Sequence, residues 1–180
     1  MSKNGFTSLL LIGLCAITPV SLYAQAAIGK VSIDFGKAQI TNGAWHLYGG
    51  VKMTSENYDL AGQDFQFYFA KGKPGASTLI RATAEGSPAG NTQVLGRFQN
   101  VLESQAYRVY ADHAVYVPDA SRKGGGKISF TGHVQVIATS GFLQGPSRTQ
   151  TESASVLLGT GPDYPQIETG PAHTEFTPAQ

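Results

Sequence analysis

The four histidines are the residues of this chain best suited to metal binding or proton transfer, but their spacing supports neither role. None has another histidine or a cysteine within four positions, as the short ligand spacings of metal sites require. His46 and His133 fall on the outward parity of predicted strands, which favours exposed polar positions. The four are His46, His113, His133 and His173.

Two aspartates and one glycine-rich stretch are the other candidates for chemistry. Asp64 and Asp112 could form the acid pair of a glycosidase, yet both occupy equivalent, turn-proximal places in a repeat, where aspartate more often forms the turn. The stretch Gly124-Gly125-Gly126-Lys127 lacks the spacing of a phosphate-binding loop and fits a hairpin better. No Gly-x-Ser-x-Gly elbow occurs. The sequence predicts that the protein is not an enzyme and has no metal or cofactor.

The charge balance argues against nucleic acid as a partner. Charged residues make up 14% of the chain, and 13 basic against 12 acidic residues give a net charge of +1. Loss of an amino-terminal signal would remove Lys3 and no acid, leaving 12 of each and a net charge of zero. The sequence shows no basic stripe that could neutralise phosphates. A weakly charged, neutral surface favours self-association or docking to a partner.

Residues 1–26 have the three parts of a secretory signal. Lys3 supplies a positive charge, an apolar run extends from Leu9 to Ile17, and Ala24-Gln25-Ala26 offers a small-x-small cleavage site. The run is shorter than the about 20 apolar residues that span a bilayer, so we expect a cleaved, exported product. Retention as a membrane anchor is the alternative, which a mature amino terminus near Ala27 would exclude.

The chain that remains after cleavage is long enough for one domain. About 155 residues can bury a core of useful size, and that core must stand without disulfides because the only cysteine, Cys15, lies in the signal. We expect a β-domain over 27–160. The Pro- and Gly-rich tail at 161–180 is expected to hold one short or edge strand, at 166–169, followed by a mobile end.

Alternation of apolar and polar residues predicts an all-β fold. Phe65, Phe67 and Phe69 share one face of a strand, because successive side chains point to opposite faces. The same alternation runs through 47–53 and 128–136, and further strands are predicted at 78–84, 92–98, 107–117 and 153–158. Gly- and Pro-containing turns separate them, and no segment keeps helical periodicity for three turns. This pattern predicts an antiparallel sandwich, roll or barrel.

A weak internal repeat relates two groups of these strands. Residues 47–53 align with 130–136, both reading apolar, polar, Gly, x, Val, polar, apolar, and 58–65 align with 107–114. Stacked repeats of this kind bury a continuous apolar seam. Gly49 and Gly132 fall on the inward parity of their strands, where glycine marks a bend, a close approach of two sheets or space for a ligand. A bend is the interpretation we favour.

These repeated stretches carry a family resemblance. The chain resembles the LptA/OstA-like family of periplasmic lipopolysaccharide-transport proteins, whose repeats combine a glycine-valine strand, an Ala-Asp step and an aromatic-rich strand. The resemblance covers roughly 30–160 and departs at Gly62, where alanine is expected, and in a less regular middle at 87–105. The matching stretches are 48–53, 60–65, 109–116 and 130–134.

The resemblance implies an antiparallel β-jellyroll, an open two-sheet roll, located in the periplasm. Proteins similar to it hold the acyl chains of lipopolysaccharide between their sheets and join end to end by strand pairing, forming a bridge from inner to outer membrane. The implied partners are lipopolysaccharide or a related lipid, other lipopolysaccharide-transport proteins, and further copies of the chain.

An apolar inner face could hold lipid without specific hydrogen bonds, since each buried methylene contributes about 0.8 kcal/mol. A plain core role is the commoner use of any such residue; the resemblance is what raises the lipid interpretation. The predicted lipid-binding residues are Val51, Met53, Phe65, Phe67, Phe69, Phe130, Val134 and Val136.

Two alternatives to an exported lipid carrier remain open at the level of sequence. An exported structural or adhesive β-domain would have a filled interior and would bind a protein or glycan through its loops, with exposed aromatics such as Tyr48, Tyr58 or Tyr107. A lipid carrier would have space between its sheets. A relative with an uncleaved signal would receive lipid at the inner membrane.

Overall fold

In a computed structural model, β-strands are the only regular secondary structure in the described part of the chain. The structure describes residues 31–41, 43–55, 58–70, 78–87, 92–100, 104–119, 121, 125–140, 144–159, 161 and 163–176. The predicted signal at 1–26 lies outside these residues. The strands are β1 (Ser32–Asp34), β2 (Lys37–Thr41), β3 (Ala44–Thr54), β4 (Tyr58–Ala70), β5 (Thr78–Glu85), β6 (Val94–Asn100), β7 (Gln105–Ala111), β8 (His113–Pro118), β9 (Gly126–Thr139), β10 (Ser147–Leu158), β11 (Gln166–Thr169) and β12 (Ala172–Glu175).

The strands form one continuous antiparallel sheet that is folded into two halves. Four long strands, β3, β4, β9 and β10, run through both halves, whereas the eight shorter strands each belong to one half. The first half-sheet contains β2, β5, β8 and β11 with residues 44–48, 64–70, 126–131 and 153–158 of the long strands. The second contains β1, β6, β7 and β12 with residues 51–54, 58–62, 134–139 and 147–151. The predicted antiparallel jellyroll is confirmed.

A crease separates the two half-sheets, and bulges in two strands produce it. Gly49-Gly50 of β3 stand opposite a single residue of β4, and Gly132-His133 of β9 stand opposite a single residue of β10. All four bulged residues have positive φ, from 46° to 84°, a region that glycine adopts readily and other residues rarely. The bulges lie at the positions that the sequence repeat aligns, so the two repeated strands share the same bend.

The prediction that both glycines face inward is wrong for Gly49. It is exposed, and Gly132 is partly exposed, because the left-handed backbone interrupts the alternation of faces. Neither a ligand space nor a close approach of the two sheets is therefore the reason for Gly49. The favoured interpretation of these glycines, a bend, agrees with the backbone geometry.

The two half-sheets pack face to face across a core of aromatic and aliphatic side chains. Phe98 of the second half-sheet and Phe130 of the first meet edge to face, with ring centroids 6.1 Å apart. A Cβ at Gly96 would stand 2.8 Å from the Phe130 ring, so glycine is what lets the two half-sheets come this close. The crease closes one side of the sandwich, and strand ends and loops form the opposite margin.

The sheet ends in two short strands at each of its edges. At one edge β1 and β2 pair only with β3, and at the other β11 and β12 pair only with β10. Large apolar side chains are exposed here: Ile40 on β2 and Phe176 just beyond β12 are each 63% exposed. The tail therefore forms two edge strands, where the sequence predicted one.

Candidate functional site

The structure brings the predicted lipid-binding residues together in the interior of the sandwich. Seven of them are at most 5% exposed and belong to one hydrophobic cluster, while Phe69 is partly buried and packs against Trp45 at 5.3 Å between ring centroids. Four come from the first half-sheet and four from the second, counting Phe130 with the first. Whether these side chains contact lipid remains a prediction.

The interior in which these residues lie is filled. The buried apolar side chains leave no more than 7% of their surface exposed, and close contacts such as that between Gly96 and the rings of Phe98 and Phe130 occupy the centre.

Sequence reasoning missed the contribution of β6 and β7 to this interior. Val94, Phe98 and Val109 are at most 2% exposed, and they lie on strands that were predicted but whose inner faces were not assigned. The alternation Val94, Gly96, Phe98 was a usable signal. Glycine at the middle position weakened it, although that glycine is what makes room for Phe130.

Two tyrosines lie inside the sandwich, contrary to the suggestion that Tyr58 is exposed at a loop. Tyr58 is 7% exposed and Tyr116 is 2% exposed, while Tyr48 and Tyr107 are partly buried. The Tyr116 hydroxyl donates to the carbonyl oxygen of Gly125 at 3.4 Å.

The hydroxyl of Tyr58 is buried in a less favourable setting. Burial raises the pKa of its phenol far above the ordinary value, and the neighbouring Tyr116 adds to the rise. The nearby Ser55 side chain offsets only part of this rise in pKa. The two side chains do not form a hydrogen bond of acceptable geometry. The Tyr58 hydroxyl thus finds no hydrogen-bond partner among the described residues.

A cavity of about 330 Å³ lies beside Tyr58, where β4 begins. Its lining includes both apolar and charged residues. The residues that line it include Tyr58, Asp59, Arg97, Phe98, Tyr107 and Arg108.

A row of arginines crosses the outer face of the second half-sheet. Arg97 and Arg108 stand directly opposite each other on β6 and β7, and Arg148 follows beyond one strand on β10. All three are exposed, and none of the ion pairs that join described residues involves them. The sequence showed no basic stripe because these arginines are 11 and 40 positions apart in the chain. The folded sheet assembles one.

The outer side of the crease carries histidine–carboxylate pairs. His133 Nδ1 donates to Asp112 Oδ2 at 2.7 Å, His113 pairs with Glu85, and His46 Nε2 lies 3.8 Å from Asp64 Oδ1. The two aspartates were predicted to form turns. Asp64 instead lies within β4, and Asp112 lies between β7 and β8, with its backbone N–H bonded to the Gly132 carbonyl at 3.0 Å.

The Asp112–His133 pair perturbs both titrations. The hydrogen bond from His133 lowers the pKa of Asp112, and the same bond raises the pKa of His133, with Glu152 adding to the rise. The lowered Asp112 pKa stabilises the fold above an ordinary aspartate pKa of about 3.9, and this contribution is lost as pH falls through the lowered value. The raised His133 pKa stabilises it below about 6.5, and this contribution is lost as pH rises through the raised value.

Replacing Asp112 with asparagine is therefore expected to lower the free energy of unfolding most between about pH 4 and 6.5, where both charges are present. The loss should shrink towards pH 8. Chemical denaturation at a series of pH values measures it. In the background of His133→Gln the same substitution should show a flatter pH profile. An unchanged profile in that background would assign the effect to His113, the other histidine near Asp112.

The described residues offer neither a metal centre nor a membrane-spanning helix. No group of three or more histidine, cysteine, aspartate or glutamate side chains among them could hold a metal ion. None of them forms a helix long and apolar enough to cross a membrane.

Comparison with known proteins identifies the fold. No protein-family model matches the sequence, and no curated protein sequence matches it. The structure is similar to that of LptH from Pseudomonas aeruginosa, the LptA-homologous periplasmic component of a lipopolysaccharide transport device, with a TM-score of 0.54. The two chains are 10% identical, and the match covers 83% of this chain and 95% of LptH. The chain therefore has the LptA-like β-jellyroll fold, which it shares with LptH, a transport component.

Proposed function

We propose that this chain belongs to the LptA/OstA-like proteins and carries lipopolysaccharide or a related lipid across the periplasm as part of a bridge between the membranes. The observation that carries the proposal is the LptA-like fold with an apolar interior drawn from both half-sheets. The secretory features of residues 1–26 support export by a cleavable signal.

Acyl chains are held between the half-sheets in this proposal. Each methylene that leaves water contributes about 0.8 kcal/mol, so a chain of ordinary length can offset the cost of separating packed side chains when the filled interior opens at its margin. The crease keeps the half-sheets joined while the margin separates. Val51, Met53, Phe65, Phe67, Phe69, Phe130, Val134 and Val136 provide the apolar surface.

End-to-end strand pairing builds the bridge. The outer edges of β2 and β12 are unpaired within the described sheet, and such edges are templates for another strand. Ile40 and Phe176 are exposed at these two edges, so pairing with another lipopolysaccharide-transport protein or a second copy also buries apolar surface.

Site-specific photo-crosslinking tests lipid binding in the interior. A photo-crosslinking amino acid at Phe67 or at Val134, from the two half-sheets, is expected to capture purified lipopolysaccharide. The same group at Gln135, which neighbours Val134 but faces outward, is the matched control and should not. Circular dichroism and a denaturation midpoint for each labelled protein establish that it is folded. Equal labelling at Gln135, or no capture from either inner position of a folded protein, contradicts the proposal.

An exported β-domain that binds a protein or glycan through its loops is the second candidate. The filled interior favours it, because such a domain needs no space between its sheets. The burial of Tyr58 argues against the loop aromatics suggested for it. The crosslinking experiment separates the two candidates, since a closed domain captures no lipid from Phe67 or Val134.

A further inference from the structure

The cavity beside Tyr58 lies at the margin of the second half-sheet, where β4 begins. β4 begins at Tyr58, which pairs with Phe98 of β6, whereas the pairing of β6 with β7 continues two residues further, to Asn100 and Gln105. Neighbouring residues of a strand point to opposite faces. The cavity is lined by residues of both faces, the outward Arg97 and Arg108 and the inward Tyr58 and Phe98, whose side chains are nearly fully buried beneath it. It is a notch at the margin of the sheet.

The outer wall of the notch suits a phosphate group. Arg97 and Arg108 are cross-strand partners, and like charges placed directly opposite each other destabilise a sheet unless an anion lies between them. Asp59 stands opposite Arg97 on β4 but forms no ion pair with it within 4.0 Å, and the three charges sum to +1. Guanidinium groups bind phosphate oxygens through paired hydrogen bonds.

The inner wall of the notch suits an acyl chain. The rings of Tyr58 and Phe98 are stacked with centroids 6.4 Å apart, and Phe98 in turn contacts Phe130 in the centre of the core. A series of buried ring contacts thus leads from the notch to Phe130, and these rings must part for a chain to follow it. The Tyr58 hydroxyl is buried without a hydrogen-bond partner among the described residues, and such a group in a native fold needs an explanation. A carbonyl oxygen of a bound ligand provides one.

We propose that this notch binds the head of a phosphorylated lipid as its chain enters the sandwich. Arg97 and Arg108 hold the phosphate monoester on the outer face, the chain passes along Tyr58 and Phe98 into the core, and the Tyr58 hydroxyl donates to the first carbonyl of the chain. The inference rests on the proposed function, because it requires lipid between the half-sheets.

Binding of simple amphiphiles to the mature protein tests the site. Dodecyl phosphate carries the phosphate and a chain, dodecyl maltoside carries the chain without charge, and inorganic phosphate carries the anion alone. The double variant Arg97→Gln/Arg108→Gln is expected to bind dodecyl phosphate about tenfold more weakly, in line with the loss of charge-assisted hydrogen bonds, and dodecyl maltoside as before. Inorganic phosphate should bind much more weakly than dodecyl phosphate.

The matched control is Arg81→Gln/Lys127→Gln, which removes the same charge from two exposed residues of the first half-sheet, outside the notch. It should bind dodecyl phosphate like the unchanged protein. An equal loss in both double variants, or no loss in either, overturns the site. Inorganic phosphate binding as tightly as dodecyl phosphate would also overturn it, since the ligand would then be a free anion.

The variant Tyr58→Phe tests the hydroxyl separately. It removes an unpartnered hydroxyl and keeps the ring, so the denaturation midpoint should not fall. Binding of 1-lauroyl-glycerol 3-phosphate, which has an ester carbonyl, should weaken, while binding of dodecyl phosphate, which has none, should not. If Tyr58→Phe binds both ligands as tightly as the unchanged protein does, the Tyr58 contact is excluded.

The failure of the site can be told from the failure of the proposed function. If the arginine variants behave like the unchanged protein while a group at Val134 still captures lipid, the carrier function stands and the notch is not its head-group site. If neither amphiphile binds the unchanged protein and Val134 captures nothing, both proposals fall.

Discussion

Replacing Phe130 with alanine is expected to lower the free energy of unfolding by about 3–5 kcal/mol, the usual range for removing a fully buried phenylalanine. Phe130 is 0% exposed and its ring meets Phe98 edge to face across the two half-sheets. Gly96 and Phe98 belong to one strand and cannot collapse far into the space that remains. Chemical denaturation, with the denaturant dependence compared between proteins, measures the loss.

Lys127→Ala is the matched control for Phe130→Ala. Lys127 lies on the same strand, β9, but is exposed, so its replacement should change stability by no more than about 0.5 kcal/mol. A loss below about 1 kcal/mol for Phe130→Ala would mean that the two half-sheets are loosely packed at their centre, contrary to the filled interior of the structure. That outcome would in turn favour a sandwich that already has room for a chain.

Replacing Gly132 with alanine should destabilise the crease by about 2 kcal/mol or more, since a backbone penalty and a clash act together. Its φ is +78°, a conformation that disfavours an L side chain by about 1–2 kcal/mol. The added Cβ would also stand 2.6 Å from Asp112 Oδ2 and 3.0 Å from Asp112 Cβ. Relief of that clash requires Asp112 to move, and its hydrogen bond to His133 would then be lost. A thermal or chemical denaturation midpoint records the combined effect.

Gly50→Ala separates the two parts of the Gly132 effect. Gly50 belongs to the aligned bulge in β3 and has a similar φ of +83°, but an added Cβ there meets no atom within 4 Å. Only the backbone penalty of about 1–2 kcal/mol applies to it. If both substitutions cost the same, the contact with Asp112 adds nothing and the pair with His133 does not hold the crease in place.

Alternation of side chains was enough to predict the fold class, but not the extent of several strands. The phenylalanines at 65, 67 and 69 lie on β4, and residues 128–136 lie on β9, as their patterns indicated. The first half of β10 was missed because its side chains are polar and at most partly buried. β1 and β2 were missed because they are only 3 and 5 residues long, although Val31, Ile33 and Phe35 alternate with polar residues and pack against the core.

The breaks between strands depended on tertiary contacts that a single sequence does not display. The predicted strand at 107–117 is divided at Asp112, which sits at the crease and bonds to Gly132 of β9. The inward placement of Gly49 failed because parity cannot be counted through a bulge. The interior of the candidate site was predictable from apolar repeats, whereas the arginine row and the notch arise only when distant strands become neighbours.

The bulges of β3 and β9 also determine the register of the whole sandwich. Each bulged strand runs through both half-sheets, and a slip by one residue turns every side chain of a strand to the opposite face. A bulge moved along either strand would place non-glycine residues at positive φ in place of Gly49, Gly50 and Gly132, so these glycines favour one position for it. The position of the crease thus specifies the strand register of both half-sheets at once.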